Sequence, residues 1–426
     1  MTTEQLIRTL NEGGLDDRLA ALYGKDKLAA QKERYAGAVA AFEALYGQRD
    51  VRLFSVPGRS ELSGNHTDHN HGCVVAASID LDIIAVAAKT DDGVVRVKSE
   101  GFPEDVVAVA DRKEPDPARF AHSDALIAGM CRGLADRGFS AGGFVAYTTS
   151  SVLKGSGLSS SAAFEDMIGN IENHLYNGGR VDNVEIAKIA QYAENVFFGK
   201  PCGLMDQMAC GVGGIIAIDF ADPKNPVIDK IGFDLTAAGY ALCIVNTGGN
   251  HADLTADYAA VPAEMKAVAK ELGVTVLRET DEAAVLAALP TLRERVGDRA
   301  VLRALHFLAE NKRVAAQKNA LQRGDLNAFF ENVIASGRSS FCYLQNVYTT
   351  KNVGEQGLSL ALCLAETYLA GKPGAFRVHG GGFAGTVQVF LRQEDVPGLA
   401  ALMDGVFGRG ATMPLHVRPD GAIAVL

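Results

Sequence analysis

Residues 154–164 read Lys-Gly-Ser-Gly-Leu-Ser-Ser-Ser-Ala-Ala-Phe, and a helical pattern begins inside them at Ser160 and continues to Tyr176. Glycines and small hydroxyl residues at the start of a helix expose several backbone N–H groups toward one point. Those donors and the positive end of the helix dipole favour an anion such as phosphate. Because a Gly/Ser loop can also be a flexible lead-in to a capped helix, the segment needs support from other motifs.

Two common nucleotide motifs do not account for this loop. Each Gly-Lys pair of the chain is followed by Asp or Pro, so the sequence has no G-x-x-x-x-G-K-[ST] motif. A Rossmann fingerprint needs glycines directly after a strand, whereas residues 149–154 separate Gly155 from the nearest predicted strand. Residues 380–385 match G-x-G-x-x-G, but they precede a predicted strand instead of a helix. The pattern therefore favours phosphate binding without a Rossmann unit.

A second informative segment, residues 57–72, reads Pro-Gly-Arg-Ser-Glu-Leu-Ser-Gly-Asn-His-Thr-Asp-His-Asn-His-Gly. It predicts a turn-rich loop with a high density of hydrogen-bond donors and acceptors. Such a loop suits a polyhydroxylated ligand, because each hydroxyl group needs a partner when it is buried. Two other interpretations stay open, a solvated loop and a metal site, although the spacing is not that of a helical metal motif. The candidate metal ligands are His66, Asp68, His69 and His71.

A third segment, residues 193–207, reads Ala-Glu-Asn-Val-Phe-Phe-Gly-Lys-Pro-Cys-Gly-Leu-Met-Asp-Gln. Glu194 lies near the end of an apolar helical pattern, and Asp206 follows a Gly-Lys-Pro turn. Two such carboxylates could divide the work of holding Mg²⁺ and accepting a proton. By itself this pattern is weak, because most isolated carboxylates only solvate a protein surface.

Composition narrows the class of protein. The chain has 426 residues, 48% of them hydrophobic, and its 41 Lys and Arg against 51 Asp and Glu give a net charge of −10. That charge argues against nucleic acid and anionic membranes as partners. The seven cysteines never form C-x-x-C, so we expect buried free thiols in a reducing compartment. No targeting segment is visible, and the sequence predicts a cytoplasmic protein without an obligate protein partner.

The order of helical and strand patterns predicts an α+β fold rather than alternating βαβ units. Helical periodicity dominates residues 4–48, short alternating apolar runs begin at Val51, and Ala- and Leu-rich helical stretches fill residues 261–337. The expected division is an N-terminal helical extension over residues 1–48, a first domain over 49–232 and a second domain over 233–426.

These segments, in this order, resemble the sugar-kinase branch of the GHMP kinase superfamily, and most closely the galactokinase family. Residues 58–68 are similar to the galactose-binding signature G-R-x-N-x-x-G-E-H-T-D-Y, and residues 155–162 match the phosphate loop nearly letter for letter. Residues 193–207 match the segment that supplies the family's Mg²⁺-liganding Glu and catalytic Asp. Residues 380–385 match the third motif, with Ala384 where Gly is usual.

The resemblance implies phosphorylation of the anomeric (C1) hydroxyl of galactose, with ATP and Mg²⁺ as cofactors. It also implies an N-terminal α/β domain and a ferredoxin-like C-terminal domain, with the active site between them. Asp206 would accept the proton of the hydroxyl, and Arg59 would stabilise charge on that hydroxyl and the transferring phosphoryl group. The other implied roles are sugar binding by Glu61, Asn65, His66, Thr67, Asp68 and Tyr258, nucleotide binding by Ser99, Gly155, Ser156, Gly157, Leu158, Ser159, Ser160 and Ser161, and Mg²⁺ binding by Ser161 and Glu194.

The polar loop departs from the family signature at Glu61, Asn65 and His69, where the family has Asn, Glu and Tyr. One interpretation is that the carboxylate and the amide form a partnered pair whose order is exchanged. The other is that the substrate has changed, to N-acetylgalactosamine or a related hexose or pentose. A sugar- and ATP-binding regulator without turnover is a third possibility, but the implied catalytic residues and metal ligands are all present.

Overall fold

The computed structural model describes residues 1–111, 113–152, 157–249 and 254–426. Two β-sheets, each packed against helices, give the α+β class that the sequence predicts. Within those four ranges, no helix combines the length and the apolar character that crossing a bilayer demands.

Helices and strands are numbered here in chain order. The helices are α1 (Thr3–Asn11), α2 (Asp16–Tyr23), α3 (Leu28–Tyr46), α4 (Ser123–Asp136), α5 (Ser160–Tyr176), α6 (Asn183–Tyr192), α7 (Met205–Val212), α8 (Thr255–Glu271), α9 (Glu282–Ala287), α10 (Leu289–Arg295), α11 (Asp298–Gln322), α12 (Leu326–Ser339), α13 (Gly357–Tyr368) and α14 (Val396–Phe407). The strands are β1 (Arg52–Ser63), β2 (Cys73–Lys89), β3 (Val94–Ser99), β4 (Glu104–Ala108), β5 (Phe144–Ser150), β6 (Ile215–Asp219), β7 (Val227–Ile231), β8 (Tyr240–Asn246), β9 (Gly374–Val378), β10 (Thr386–Arg392), β11 (Thr412–Leu415) and β12 (Ile423–Ala424). Short π-helical turns follow α6 and α12, at Ala193–Phe197 and Ser340–Leu344.

The first sheet divides along the long strand β2. On one side β2 pairs with β1, and on the other side its first half pairs with β6 and its second half with β5. The strand order is β12-β1-β2-β5-β3-β4, with β7 beyond β6. The pairing with β6 ends at Ala77 and the pairing with β5 begins at Ile83, and Arg59 of β1 pairs with Ser78 in that interval. The point where the sheet divides therefore positions Arg59.

The second sheet has the order β11-β8-β10-β9, and all of its strand pairs are antiparallel. Helices connect β8 to β9 and β10 to β11, which is the βαββαβ arrangement of a ferredoxin-like domain. The predicted C-terminal architecture is thus confirmed. The chain then returns to the first sheet, where β12 pairs with β1. The division of the chain near residue 232 stays a prediction.

The prediction of a turn-rich loop is wrong for residues 57–63, because β1 continues through them to Ser63. Register shifts between Pro57 and Arg59, and between Glu61 and Ser63, accommodate this irregular stretch within the strand pairing. Helix α4 was not predicted. It contains Gly129 and Gly133, which weaken a helical sequence pattern, and most of its residues are buried. All seven cysteines are free thiols, as expected, but only three are buried, because Cys73 and Cys202 are partly exposed and Cys342 and Cys363 are exposed.

The N-terminal helices cover one face of the first sheet. Their apolar side chains, among them Leu19 and Phe42, pack against Ile84 and Val86 of β2. The alternate residues of β2, such as Ala85, face the core that α4, α5 and α6 cover on the other side. Both faces of β2 are therefore buried, which explains its nearly continuous apolar sequence.

A buried ion cluster joins these helices to the sheet around Asp82 of β2. Arg34 of α3 lies 2.6 Å from this carboxylate and Arg418 lies 3.2 Å from it, while the hydroxyl groups of Tyr23 and Ser55 also donate to it. Burial acts to raise the pKa of Asp82, but the two arginine charges and the hydroxyl donors outweigh it and hold the pKa below its ordinary value. The cluster also ties down the end of β5, because Arg34 donates to the Thr149 carbonyl.

Removing one cation from this cluster is expected to destabilise the fold. Arg34→Met should lower the free energy of unfolding by about 3 kcal/mol, since it leaves the buried Asp82 carboxylate undercompensated. Urea denaturation followed by circular dichroism at pH 7 measures this loss. Because the folded-state pKa of Asp82 is depressed, the stabilisation is present at pH 7 and fades as the pH falls below about 4.

Arg293→Met is the matched control, because Arg293 pairs with Asp298 at 2.7 Å but both side chains are more than 60% exposed. It should leave the free energy of unfolding unchanged. Equal losses in the two variants would contradict the role assigned to Asp82.

Candidate active site

The centre of the site is an ion pair between Arg59 of β1 and Asp206 in the first turn of α7. The Arg59 Nη2 and Nε atoms lie 2.6 and 2.8 Å from the same oxygen, Asp206 Oδ1. Its Nη1 donates to the backbone carbonyl of Gly157, which lies just before α5. Arg59 is 6% exposed, whereas about a third (34%) of the Asp206 side chain is open to solvent. The Arg59 guanidinium group therefore connects three parts of the chain, which are β1, the Gly/Ser loop before α5 and the segment over residues 193–207.

Asp206 is held as an ionised carboxylate. Its second oxygen, Oδ2, accepts a hydrogen bond from the Ser159 hydroxyl. Burial acts to raise the pKa of Asp206, but the Arg59 charge and the hydrogen bonds from Ser159 and Arg59 hold that pKa below its ordinary value. A carboxylate oxygen has two lone pairs, and Arg59 already uses both of those on Oδ1, but Oδ2 accepts only from Ser159 and can take a further hydrogen bond. Asp206 is thus an ionised, partly exposed proton acceptor.

The Gly/Ser loop packs directly on β1. The backbone N–H of Arg59 donates to the Leu158 carbonyl at 3.1 Å, and a side chain at Gly58 would lie 2.7 Å from that oxygen. Ser159 adopts a left-handed conformation with φ of 61° and makes no side-chain cap to α5, since its hydroxyl points to Asp206. The N–H groups of the first turn of α5 are therefore left for another acceptor, and the helix dipole favours an anion there.

Some predicted nucleotide-binding residues have a defined place and others do not. Ser160 and Ser161 are the first residues of α5, whereas Gly155 and Ser156 lie outside the described residues. Ser99 ends β3, where its hydroxyl accepts a hydrogen bond from Thr148 at 3.0 Å. Their contacts with a nucleotide stay predictions.

Glu194 lies in the π-helical turn at Ala193–Phe197, and its side chain is 3% exposed. Lys200 Nζ is 2.9 Å from Oε1, and Gln207 Nε2 donates to Oε2 at 3.0 Å. Gln207 also donates to Glu165 at 3.1 Å, and burial together with the Glu194 charge raises the pKa of Glu165 well above its ordinary value. Glu194 is therefore a buried carboxylate that already holds a cationic partner. Among the described contacts, no hydrogen bond joins it to Ser161.

The polar loop, which after the extension of β1 comprises residues 64–72, lies against the segment that ends at Asp206. Asp68 Oδ1 accepts the His69 backbone N–H at 2.9 Å, and a side chain at Gly203 would collide with Asp68 Oδ2. Thr67 is buried and bonded to backbone carbonyls of its own loop. Burial lowers the pKa of His66 to about 4, so its ring is neutral and donates from Nε2 to the Gly381 carbonyl at 3.0 Å. The described residues contain no cluster of three or more His, Cys, Asp or Glu side chains arranged to hold a metal.

Glu61 and Asn65, the exchanged pair of the signature, contact each other inside the protein. Asn65 Nδ2 donates to Glu61 Oε1 at 3.1 Å and to the Gly380 carbonyl at 2.6 Å. Its Oδ1 accepts from Asn346 at 2.7 Å and from Ser340 at 3.2 Å. All four hydrogen-bonding positions of the amide are thus used, and a sugar hydroxyl would have to displace one of these partners.

Glu61 is also half of a buried ion pair. Its Oε1 lies 3.0 Å from Arg377 Nη2, and Arg377 itself is fully buried. Burial raises the pKa of Glu61 above its ordinary value even though Arg377 and Arg59 act to lower it. Glu61 and Asn65 therefore have the geometry expected of a partnered pair, and the buried Arg377 is its third member.

The glycine-rich residues 380–385 pack against the polar loop that follows β1. The Tyr258 hydroxyl donates to the Gly382 carbonyl at 2.7 Å, and its ring meets Phe383 edge-on at 5.3 Å. At Gly382, where φ is 79°, a Cβ would lie 2.0 Å from the Asn346 carbonyl oxygen, so glycine is required. This close approach explains the third glycine motif.

Helix α11 supports the polar loop from behind, which the sequence did not predict. His306 lies 3.1 Å from the Asn65 carbonyl, and the Glu310 carboxylate accepts the Gly64 N–H at 3.1 Å. Burial acts to raise the pKa of Glu310, but His306, Arg313 and other partners outweigh it and lower that pKa to about 2. No role was predicted for Lys200, Gln207 and Arg377, because the motifs alone do not show which side chain each carboxylate contacts.

The arrangement combines an ionised base, a guanidinium group, a helix N-terminus suited to phosphate and a buried carboxylate with a cation. In phosphoryl transfer a protein mainly positions the reactants and neutralises charge, and these are the parts that this chemistry needs.

Comparisons with known proteins agree with this chemistry. A galactokinase galactose-binding signature matches residues 40–89, and the N-terminal domain of GHMP kinases matches residues 125–214. The galactokinase of Streptomyces coelicolor is 32% identical over 383 residues, which cover 88% of this chain and 94% of that protein. The galactokinase of Homo sapiens is 30% identical over 403 residues, which cover 92% of this chain and 96% of that protein.

Solved structures show the same fold. The galactokinase of Lactococcus lactis, complexed with galactose, matches with a TM-score of 0.77 at 23% identity, covering 92% of this chain and 99% of that chain. The mevalonate kinase of Methanococcus jannaschii matches with a TM-score of 0.61 at 14% identity, covering 86% of this chain and 98% of that chain.

The contact between Glu61 and Asn65 leads to a double-mutant prediction. Asn65→Glu alone should lower the free energy of unfolding, because it places a second carboxylate against Glu61 in a buried site. Combining it with Glu61→Asn should recover part of that loss, with a coupling of at least about 0.5 kcal/mol. Urea denaturation of the parent, the two single variants and the double variant measures the coupling. Strictly additive losses would contradict the partnered pair.

Proposed function

This chain belongs to the galactokinase family, and on that premise we propose how it phosphorylates galactose. ATP gives its γ-phosphoryl group to the anomeric C1 hydroxyl of the sugar, and Asp206 accepts the proton of that hydroxyl. The observation that supports this assignment is the Arg59–Asp206 ion pair next to Gly157 of the Gly/Ser loop. A phosphate and a hydroxyl group would meet at this point.

Asp206 acts as the general base in this proposal. A sugar hydroxyl is a weak nucleophile at neutral pH, and a carboxylate within hydrogen-bond reach takes its proton as the new P–O bond forms. The bond between the γ-phosphorus and the bridging oxygen breaks, and ADP leaves with that electron pair. The lowered pKa of Asp206 keeps it in the accepting form throughout the neutral range.

Arg59 has two functions in the same step. It holds Asp206 through Oδ1 and supplies positive charge beside the hydroxyl and the transferring group. Because Arg59 is buried, its charge is poorly screened by water, which strengthens its effect on a developing negative charge. The triphosphate would lie at the start of α5, along Gly157, Leu158, Ser159, Ser160 and Ser161, with Gly155 and Ser156 preceding them.

Ser161 and Glu194 would hold Mg²⁺ with the phosphates. A buried carboxylate that already holds an ammonium group is suited to a cation, and carboxylate and hydroxyl oxygens are the donors that Mg²⁺ prefers. When bound, the ion would neutralise charge on the β- and γ-phosphate oxygens.

The sugar would lie against the polar loop. We propose that Asp68, which lies against Gly203 just before α7, accepts hydrogen bonds from sugar hydroxyls, and that His66 and Tyr258 complete the sugar site. Thr67, Asn65 and Glu61 would act mainly by fixing the loop, since protein partners occupy the Thr67 hydroxyl, the Asn65 amide and Glu61 Oε1. Because the exchanged Glu61 and Asn65 find hydrogen-bond partners inside the protein, their exchange is no argument for a different sugar.

The proposal is tested by following ADP release over a panel of sugars. Galactose should be the preferred substrate, and Asp206→Asn should lower kcat by at least about 10²-fold, because it removes only the proton acceptor and its charge. Binding of galactose and ATP, measured by calorimetry, should persist in that variant.

Asp222→Asn serves as its control, because Asp222 is exposed and bonded only within its own turn. Near-normal turnover by a correctly folded Asp206→Asn protein would place the base elsewhere. A panel in which galactose is a poor substrate would favour a kinase for another sugar, and no turnover on any sugar would favour a regulator.

The metal assignment predicts a separate effect. Ser161→Ala and Glu194→Gln should each raise the Mg²⁺ concentration needed for half-maximal activity, because each removes an oxygen suited to a hard cation. Neither change should alter which sugar is preferred. Initial rates across a Mg²⁺ series, repeated with two sugars, measure both properties. A changed sugar preference with unchanged Mg²⁺ dependence would show that these residues serve another purpose.

A further inference from the structure

The buried Glu194 carboxylate depends on two protein partners. Lys200 Nζ lies 2.9 Å from Oε1, and Gln207 Nε2 lies 3.0 Å from Oε2. A carboxylate that is 3% exposed is costly unless a cation compensates it. Lys200 supplies that compensation in the structure.

The two oxygens of Glu194 differ in how easily they can exchange partners. Gln207 is fully buried and also bound to the buried Glu165, so its hydrogen bond to Oε2 belongs to the protein interior. Lys200, by contrast, has a side chain that is 62% exposed. The partner of Oε1 can therefore move into solvent without disturbing the core.

The backbone places Lys200 at this position. Its N–H donates to the Glu194 carbonyl at 3.1 Å, and Pro201 restricts the backbone of the residue before it. Gly199 has a φ of 78°, and a Cβ there would lie 2.4 Å from the ring of Phe120. The turn is thus built to return the lysine side chain over the carboxylate that precedes it.

We propose that Lys200 is a resident cation at Glu194, which its ammonium group occupies until a divalent ion arriving with the nucleotide displaces it. This inference rests on the proposed role of Glu194 as a metal ligand. Lys200 keeps the buried carboxylate neutralised before loading, and it makes the metal compete for Oε1. Lys200 is therefore a positioning residue that sets the metal requirement of the site.

The competition predicts a tighter metal-dependent complex when the lysine charge is removed. The measured quantity is the ratio of ADP dissociation constants in EDTA and in saturating Mn²⁺, determined by calorimetry on the full chain without sugar. Lys200→Met should raise this ratio about two- to fivefold, the range that a half-exposed ion pair supports. Lys200→Arg retains the charge and should leave the ratio near that of the parent, which separates the charge from any folding defect.

Lys312→Met is the matched control, because Lys312 is similarly exposed (71%) and pairs with Glu282 at the same 2.9 Å, on the surface of α11. It should not change the ratio. In a Glu194→Gln background, Lys200→Met should also have no effect, because the carboxylate for which the two cations compete is gone.

The outcomes separate the two assignments. A parent-like ratio in Glu194→Gln would show that Glu194 is not a metal ligand, and the proposed metal site would fail together with this inference. A reduced ratio in Glu194→Gln without any rise in Lys200→Met would overturn the inference about Lys200 alone. An equal rise from Lys200→Met in both backgrounds would overturn it as well, because the lysine would then act independently of Glu194.

Discussion

The guanidinium group of Arg59 is the point at which three distant segments of the chain meet. It binds Asp206 of α7 and the Gly157 carbonyl before α5, and it lies on β1 where the first sheet divides. A buried arginine with several donors in one plane can hold these partners in a single geometry. Asp206 and the end of the Gly/Ser loop therefore have fixed positions relative to one another.

Three other buried carboxylates each have a cation beside them. Asp82 has Arg34 and Arg418, Glu61 has Arg377, and Glu310 has Arg313. These ion pairs have different structural roles. The pairs of Asp82 support the end of β5, whereas those of Glu61 and Glu310 position the polar loop. A buried pair of this kind is weak evidence for stability, but losing one partner is costly, so it fixes the position of the backbone that carries it.

The second sheet contributes to the site through Arg377 of β9 and through the loop that follows this strand. Residues 380–385 join β9 to β10 and contact His66, Asn65 and Tyr258. Helix α11 meets the same loop from the other side through His306 and Glu310. The polar loop is thus held by two segments from the second half of the chain, and this explains why Asn65 and the neighbouring Glu61 are satisfied by protein partners.

The amino-acid sequence by itself determined the fold class, the long amphipathic helices and the family, because periodicity and motif order are local properties of the chain. Helix α5 was predicted to the residue, and the residues Arg59, Glu194 and Asp206 were named from their motifs. Only the tertiary structure decided that residues 57–63 belong to a strand, since burial of consecutive residues removes the alternating signal, and that α4, with its two glycines, is a helix. It also decided the partners of the buried charges, such as Arg377 with Glu61 and Arg59 with Asp206, because contacts between residues far apart in sequence follow from how the sheets and helices pack.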